Sequence, residues 1–357
     1  MRRPAPLVAA LLLPLACSDP GGAPNADPAF ACTIPEAFIQ DGGPGKDGIP
    51  ALVNPTLVGA DDPSVAYLED TDRVMGIVVD GNAVAVPINV LWWHEVVNLD
   101  VGTRSLAVTH CPLTGSSLTF ERAVVDGSEF GVSGLLFLNN LMMYDRTSEE
   151  SLWPQMTRGA RCGPRTSASL TMYPTLEIEW AGWRALYGDT RVVTSLTGFA
   201  RDYRRYPYGT YDTPSNPALL FPMPNGLDDR RPPKERVLGI PAGEMGGLAL
   251  PFGLLDAGGP VTTARVTVGG NAMVVFWDRA SRAAAAYLPG GRTFSVRNGA
   301  IVDGATGSTW SVSGIATTGS LAGTRLAPVA DTFVAYWFAW AAFYPDAALW
   351  AGDGGAG

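Results

Sequence analysis

The chain has 357 residues, of which 46% are hydrophobic and 17% are charged, and its formal net charge is −9. This composition excludes a disordered chain, because it supplies enough apolar side chains to bury the cores of about two domains. The acidic balance argues against nucleic acid as a partner, since a phosphate backbone is repelled by a negative surface. The 42 glycines and 29 prolines predict many turns and few long helices, and therefore a strand-rich fold.

The N-terminus has the pattern of an export signal. Arg2 and Arg3 precede the apolar run "PLVAALLLPLA", which is too short to span a bilayer as a helix. The run ends directly before Cys17, so residues 1–16 are predicted to be a lipoprotein-type signal peptide and Cys17 to be the lipid-modified first residue. A plain secretory signal cleaved nearby is the alternative. Both predict export to the cell envelope, and the lipid would anchor the chain to a membrane on its periplasmic or outer-membrane face.

Residues 17–33 are predicted to be a polar, Gly/Pro-rich tether between the anchor and the fold. Three cysteines remain beyond Cys17. An odd number in an oxidising compartment indicates one disulfide bond and one free thiol, although three free thiols are also compatible. We predict a disulfide bond between Cys32 and Cys162, which would tie the N-terminal segment to the fold and leave Cys111 free.

After the tether the sequence repeats itself. The segment 72–88 resembles the segment 235–252, and Arg73 in the first matches Arg236 in the second. Three tryptophans keep equal spacing in both halves: Trp153, Trp180 and Trp183, then Trp310, Trp337 and Trp340. We therefore predict two tandem copies of one domain, the first over residues 34–228 and the second over residues 229–357.

Each copy is predicted to be a strand-rich α+β unit built on an antiparallel sheet with one short helix. Alternating runs such as "RVMGIVVDGNAVAV" and "SSLTFERAVV" are bounded by turn dipeptides such as Asp126-Gly127. The helix follows over "EIEWAGWRALYG", where Trp180, Trp183 and Tyr187 recur on one face. This aromatic stripe indicates packing against the sheet rather than a ligand surface.

The two copies differ at "WWHEVVN" and "VTHCPLTG" of the first copy. Aligning "AVTHCPLTG" with "MVVFWDRAS" places Trp277 opposite Cys111 and Phe276 opposite His110. The segment "GLLDAGG" stands opposite "WWHEVVN", so the His-Glu pair has no counterpart. Because the second copy folds without these side chains, we infer that the first copy carries a site and that the second is a scaffold.

Taken together, the motifs "DGGPGKDGIPAL", "WHEVVN", "VTHCPLTGSS", "FGVSGLLFLNNLMMYDR", "SLWPQ" and "RDYRRYPYG" resemble the bacterial domain-of-unknown-function family 3179. The resemblance covers nearly all of the mature chain, from about Ile34 to Trp350. It implies an exported, often lipid-anchored protein and no particular activity. Many relatives carry Cys-Pro-Leu-Cys where this chain has Cys111 to Thr114, so the second sulfur of a CxxC pair is missing here. Relatives often carry an aromatic residue in place of His110.

A thiol-centred site in the first copy is the first functional hypothesis. A reactive thiolate needs a nearby base or cation that lowers the pKa of the thiol, and His94 is one of only two histidines in the chain. We predict Cys111 as the nucleophile, His94 as its base and Glu95 as the carboxylate that orients the imidazole. Such a site suits thiol exchange, peroxide sensing or acyl transfer. A buried, neutral cysteine beside a hydrogen-bonded histidine is the alternative.

A copper or zinc centre is the second hypothesis, and it uses sulfur and imidazole ligands. The candidate ligands are Cys111, His94, His110 and Met142. Adjacent side chains on a strand point to opposite faces, however, so His110 and Cys111 do not easily share one ion.

A non-catalytic envelope protein that binds a small molecule or serves as a scaffold is the third hypothesis. Four further side chains are candidate pocket residues: Trp93, Asn98, Asp145 and Arg146. The loop "RDYRRYPYGTY" interleaves cations with aromatic rings, and we predict arginines stacked on tyrosines there rather than a glycan-binding surface. The residues alone leave all three hypotheses open, and with them the question of whether the protein is an enzyme.

Overall fold

The structure, a computed structural model, describes residues 31–352. The predicted signal peptide, the predicted lipidation of Cys17 and most of the predicted tether therefore lie outside the described residues. Strands make up 39% of the chain and helices 12%, which confirms the predicted strand-rich α+β class. Within residues 31–352, no helix combines the length and the apolar character that crossing a membrane requires.

The first half of the structure, up to residue 228, contains thirteen of the strands and two α-helices. In chain order these are β1 (Ile39–Asp41), β2 (Leu52–Val53), β3 (Leu57–Gly59), β4 (Arg73–Val79), β5 (Asn82–Pro87), α1 (Ile88–His94), β6 (Val96–Val101), β7 (Arg104–Cys111), β8 (Ser116–Glu121), β9 (Phe130–Phe137), β10 (Asn140–Asp145), β11 (Leu152–Pro154), β12 (Leu176–Glu179), α2 (Trp180–Leu186) and β13 (Arg191–Val193). Short 3-10 turns lie at Glu36–Phe38, Pro63–Val65, Arg122–Val125 and Gln155–Thr157.

The second half, from residue 229, repeats this order with fewer additions. It contains β14 (Arg236–Ala242), β15 (Gly246–Pro251), α3 (Phe252–Ala257), β16 (Val261–Val268), β17 (Asn271–Asp278), β18 (Ala283–Leu288), β19 (Phe294–Arg297), β20 (Ala300–Asp303), β21 (Thr309–Trp310), β22 (Ala327–Pro328), β23 (Phe333–Tyr336), α4 (Trp337–Phe343) and β24 (Ala348–Leu349).

Both halves follow one topology. A hairpin, β4–β5 or β14–β15, ends in a proline, and this proline is the N-cap residue of the short helix that follows. A three-stranded meander follows, and then a smaller sheet. The closing strand, helix and strand return to the hairpin: β12 pairs antiparallel with β4 and β13 parallel with β5, as β23 does with β14 and β24 with β15.

The two halves interlock instead of forming separate bodies. Strand β8 of the first half pairs with β23 of the second, which gives an eight-stranded sheet in the order β2-β6-β7-β8-β23-β14-β15-β24. The contact is reciprocal: Tyr336 N donates to Thr114 O at 2.8 Å, and Glu179 N donates to Ser281 O at 2.9 Å. The meander of the first half thus extends the hairpin sheet of the second, whereas the meander of the second half forms its own sheet and contacts β12 through the bond at Ser281. The boundary at residue 228 stays a prediction.

The hydrophobic cores are shared in the same way. One core joins Phe130 and Trp153 of the first half to Trp340 of the second, and another joins Trp183 of the first half to Phe276 of the second. All of these side chains are at most 1% exposed. Since burial of large aromatic rings dominates core energetics, each half needs the other to bury its tryptophan-bearing helix.

An ionic cluster lies where the halves meet. Arg73 and Arg236, at equivalent positions of the two hairpins, both donate to Oε1 of Glu177, at 2.6 and 2.7 Å. Burial alone would raise the pKa of Glu177, but the two guanidinium groups outweigh it and lower the pKa to about 2. The carboxylate is therefore ionised at neutral pH and compensates two cations from different halves.

We expect Gly239→Ala to destabilise the fold, because Gly239 lies under the ring of Trp340. An added Cβ would stand 2.0 Å from that ring, and the equivalent Gly76 is equally close to its tryptophan, at 2.2 Å. Overpacking of this kind costs about 1–3 kcal/mol, which urea titration of the free energy of unfolding would measure. The control is Gly59→Ala, whose Cβ meets no atom within 4 Å. An equal loss in both variants would contradict the tight contact.

Candidate functional site

Cys111 is the last residue of β7 and lies inside a hydrophobic core. It is 1% exposed. Its Sγ accepts the N–H of Leu141 at 3.3 Å and donates to the carbonyl oxygen of Asn139 at 3.7 Å. Burial raises the pKa of the Cys111 thiol to about 11, and the charge of Glu95 adds to the rise. The thiol is therefore protonated at neutral pH, the reverse of an activated nucleophile.

The other two cysteines of the fold form a disulfide bond. The sulfur atoms of Cys32 and Cys162 are 2.05 Å apart, and the bond joins residues 130 positions apart in the chain. Cys111 is the free cysteine of the described chain.

His94 lies at the end of α1 and turns away from the thiol. Its Nδ1 is 2.7 Å from the carbonyl oxygen of Pro50, and its Nε2 is 2.8 Å from the hydroxyl of Tyr203. A carbonyl only accepts, so Nδ1 carries the proton and the tyrosine donates to Nε2. Burial lowers the pKa of His94, which keeps the ring neutral. In the described chain no hydrogen bond or ion pair links His94 to Cys111 or to Glu95, so the predicted base and orienter are not assembled.

Glu95 is the residue that shares an electrostatic environment with the thiol. It ends α1 with φ 56° and ψ −33°, a conformation that L-residues rarely adopt, and it is 6% exposed. Its carboxyl group has no hydrogen-bond partner among the described residues. Burial raises the pKa of Glu95 to about 8, and its charge also raises the pKa values of Cys111 and Tyr208. An ionised Glu95 would therefore oppose a thiolate rather than promote it.

His110 faces away from Cys111 and belongs to the ionic cluster between the halves. Its Nδ1 is 3.0 Å from the hydroxyl of Ser117. Burial lowers the pKa of His110 to about 3, with a further contribution from the charge of Arg73. Met142 is fully buried in the core that holds Cys111. The four candidate ligands are thus not gathered, and residues 31–352 contain no group of three or more His, Cys, Asp or Glu that could hold a metal ion.

The strand register corrects the alignment of the two copies by one residue. Cys111 forms the last pair of β7 and β8 with Ser116, and Asp278 forms the last pair of β17 and β18 with Ala283. Cys111 therefore corresponds to Asp278, and its predicted match with Trp277 is wrong. An apolar run in a strand can be slid by one position in a sequence comparison, whereas a turn and its ladder fix the register.

Cys111 and Asp278 both cap the turn that follows their strand. Asp278 accepts from the hydroxyl of Ser281 at 2.6 Å and from the main-chain N–H of Ala280 at 3.1 Å. At Cys111, the hydroxyl and N–H of Thr114, the residue equivalent to Ser281, partly offset the rise that burial causes in the pKa of the thiol. A hydrogen-bonding cap is therefore present in both copies.

The same correction places Trp277, and not Phe276, opposite His110. Trp277 is fully buried, and its ring packs 4.8 Å from that of Phe252. The second copy thus fills the space on this face of the strand with an indole. The inference that the second copy replaces Cys111 with an indole loses its basis, because the indole stands opposite His110 and a polar residue, Asp278, stands opposite Cys111.

Asn98 and Asp145, two of the candidate pocket residues, are fully buried and hold the fold. Asn98 exchanges two hydrogen bonds of 2.8 Å with the main chain of Phe130, which ties β6 to β9. Asp145 Oδ2 accepts from the indole of Trp153 at 2.7 Å and from the N–H of Ser151 at 3.0 Å. Their polar atoms are used within the protein, so these residues do not serve as a ligand pocket.

Trp93 and Arg146, the other two candidates, make local contacts. The guanidinium of Arg201 lies 5.4 Å from the ring of Trp93, so this arginine of the loop stacks on a tryptophan of α1 and not, as predicted from the sequence, on a tyrosine. Arg146 donates to Asp47 at 2.8 Å. Neither residue lines the cavity that lies between the two halves, beside Trp183 and Tyr287.

That cavity has a volume of about 370 Å³ and is bounded by both halves. Trp183 and Tyr187 of the first half form part of its wall, with ring centroids 4.3 Å apart, and Tyr287 of β18 contributes another ring. The remaining wall includes Leu176 and Arg325. Pockets that bind small molecules are mostly apolar with few polar groups, and this wall has that character.

The equivalent place in the other half of the structure is filled. Leu176 and Phe333 occupy the same register position, each opposite the glycine that lies under a tryptophan. The ring of Phe333 packs 5.5 Å from that of Trp340 and 6.2 Å from that of Tyr344. The shorter leucine leaves the corresponding space open.

At two further positions the side chain is smaller in the second half than at the equivalent position of the first half. Ala285 occupies the register position of Leu118. Gly314 corresponds to Arg158, because each accepts the N–H of an equivalent leucine, at 2.9 and 2.8 Å. The guanidinium of Arg158 covers the ring of Tyr344 at 5.9 Å, and glycine cannot do this. Of these positions, Leu176 and Ala285 line the cavity, and both are smaller than their counterparts Phe333 and Leu118.

Tyr187, which lines the cavity, also has an unused hydroxyl. Its counterpart Tyr344 donates to the carbonyl oxygen of Met156 at 2.8 Å. The equivalent carbonyl, that of Val312, accepts instead from Tyr287 at 2.7 Å. The hydroxyl of Tyr187 has no partner among residues 31–352 and is available to a ligand.

A family model described as a protein of unknown function, DUF3179, matches residues 46–347. The chain belongs to the DUF3179 family. No curated protein and no solved structure matched the chain. The matched range contains most of both copies, Cys111 and every residue of the cavity wall, so this cavity lies within the DUF3179 domain and not in an added segment.

The sequence motifs of this DUF3179 chain did not point to the cavity. Leu176, Ala285 and Arg325 belong to no motif, and the helical stripe that contains Tyr187 indicates core packing. A usable signal was present in the duplication: wherever one copy has a small residue and the other a large one at the same core position, the two cores cannot be equally filled. Reading that signal requires the register that only the strand pairing supplies.

We expect Glu95→Gln to remove a pH-dependent loss of stability. The pKa of Glu95 is about 8 in the folded chain and about 4.5 when unfolded, so the unfolded state loses its proton first and the free energy of unfolding falls between these values. The advantage of the variant over the wild type should grow across this window by up to about 5 kcal/mol and then level off. Urea titrations from about pH 4.5 to about pH 9 measure it. Exposed Glu244→Gln is the control, and a pH-independent difference would refute the assignment.

We also expect Cys111 to resist alkylation in the folded DUF3179 chain, because its sulfur is buried and its pKa is about 11. Unreduced protein would be treated with iodoacetamide near neutral pH, with and without denaturant, and the Cys111 peptide weighed by mass spectrometry. Label should appear only in denaturant, while the Cys32–Cys162 peptides stay linked in both samples. Labelling of the folded protein at the rate of a free thiol would show that the thiol is accessible.

Proposed function

We propose that this chain is an exported, lipid-anchored binding protein of the cell envelope whose ligand site is the cavity between the two copies. The lipoprotein-type N-terminal pattern supports export and anchoring. The Cys32–Cys162 disulfide bond supports it too, because such bonds persist in oxidising compartments and are rare in the cytosol.

The observation that carries the proposal is that only one of two equivalent places is hollow. An open space here forgoes the packing contacts that the ring of Phe333 makes with Trp340 and Tyr344 in the other half. This chain already has a solution that fills the space, with Phe333, Leu118 and Arg158. A volume of about 370 Å³ also falls within the range of about 300–1,000 Å³ typical of small-molecule pockets.

The other two hypotheses receive less support. Thiol-based redox or nucleophilic chemistry requires an accessible thiolate, whereas Cys111 is buried, protonated at neutral pH and engaged in capping a turn. A copper or zinc centre requires converging ligands, and His94, His110 and Cys111 point to different surroundings. A binding role uses none of these side chains.

We expect Leu176→Phe to abolish binding of a small aromatic probe, because the new ring occupies the volume that Phe333 fills in the other copy. The probe is the neutral dye N-phenyl-1-naphthylamine, whose fluorescence rises when it enters an apolar site. Loss of about tenfold or more in affinity is expected, equal to about 1.4 kcal/mol. Ala285→Leu, which also copies the filled half, should have the same effect.

The matched control is Leu196→Phe, since Leu196 is 74% exposed and lies outside the cavity. A second control is Cys111→Ser, which should bind the dye like the wild type. Thermal unfolding of each variant checks that it folds. Unchanged dye affinity in folded Leu176→Phe and Ala285→Leu would overturn the proposed site, as would a wild-type protein that binds no dye.

A further inference from the structure

Arg325 is the charged member of the cavity wall. The residues that line the cavity in the described chain include no aspartate, glutamate, lysine or histidine. Arg325 is exposed, and its guanidinium forms no ion pair, hydrogen bond or ring contact within residues 31–352. The chain has 34 acidic and 25 basic side chains, so there are more carboxylates than cations that could pair with them. The cation is therefore left unpaired beside an apolar space.

The position of this cation follows the cavity. Arg325 pairs with Ile315 in an isolated bridge, and the equivalent bridge of the first half joins Gly159 to Ser169. Ser169 therefore occupies this position in the half whose space is filled, and Arg325 occupies it in the half that borders the cavity. Arg325 and the cavity therefore occur together, in the same half of the duplicated fold.

The remaining polar groups of the wall narrow the choice of ligand. The hydroxyl of Thr332 donates to the carbonyl of Val329 at 3.0 Å, and that of Ser313 is 2.8 Å from the hydroxyl of Ser311. The hydroxyl of Tyr187 has no such partner. A guanidinium presents parallel N–H donors that match a carboxylate or another flat oxyanion, and a phenolic O–H donates as well.

We propose, on the basis of the binding function above, that the ligand is a small organic anion. Its apolar body lies against Trp183, Tyr187 and Tyr287, and its acidic group is bound by Arg325 with the hydroxyl of Tyr187. The volume of about 370 Å³ is near the lower end for such pockets, which sets the size of the body. A fatty acid from the bilayer and a soluble aromatic acid share this chemistry.

The test compares two probes that differ in charge. Anilinonaphthalenesulfonate carries a sulfonate, and N-phenyl-1-naphthylamine is its neutral analogue. Arg325→Gln should weaken binding of the sulfonate by about fivefold to tenfold, because a charge-assisted hydrogen bond is lost, and should leave the neutral dye within about twofold. The control is Arg297→Gln, an exposed arginine of β19 outside this cavity, which should change neither affinity.

The outcomes separate the two proposals. If Leu176→Phe weakens both probes while Arg325→Gln affects both equally or neither, the cavity binds ligands and the anion proposal fails. If Leu176→Phe leaves both probes unchanged, the proposed function itself fails. Displacement of the sulfonate probe by decanoate points to a lipid source, and displacement by 1-naphthoate points to a soluble acid. Displacement by neither would overturn the anion proposal.

Discussion

The structure depends on a reciprocal exchange of contacts in which the meander of each copy lies against the closing strand of the other, β8 against β23 and β18 against β12. Glu177 stands at the centre of this exchange and compensates Arg73 and Arg236, one from each hairpin. The position equivalent to Glu177 is Val334, so one carboxylate serves both cations. Removal of one partner from a buried ion pair destabilises a protein far more than the intact pair stabilises it. The cluster therefore penalises any separation of the halves, and the two copies fold as one body.

Duplication also explains how the fold accommodates a cavity. The pseudo-symmetric arrangement supplies two equivalent spaces above a tryptophan and a tyrosine, and only one of them has to be packed for the shared cores to form. Phe333 closes one space, while Leu176 and Ala285 line the other, which stays open. The loss of packing is confined to one wall, and the ring pair of Trp183 and Tyr187 keeps the same 4.3 Å separation as its counterpart.

The sequence predicted what is local in the structure. Alternating apolar residues indicated the strands, and the spacing of Trp180 and Trp183 indicated the helix that the structure contains. The pairing of β8 with β23 could not be predicted, because it joins residues more than 200 positions apart and no periodicity records it. The candidate site was assembled from sequence neighbours. Neighbours on a strand face opposite sides, and His94 bonds to Pro50 and Tyr203 rather than to the adjacent Glu95.

The presence of a thiol at Cys111 follows from the dielectric environment of the turn that it caps. The same cap in the second copy is Asp278, which is partly exposed and keeps contact with solvent. Cys111 is 1% exposed and lies near Glu95, whose pKa burial already raises to about 8. A carboxylate there would lose its hydration beside a second acidic group, and either the charge or the turn would have to be given up. A thiol donates and accepts weakly, stays neutral because burial raises its pKa, and packs as a small apolar group. The two copies differ at this cap because one turn is in a core and the other is at the surface, and no reaction is needed to account for the sulfur.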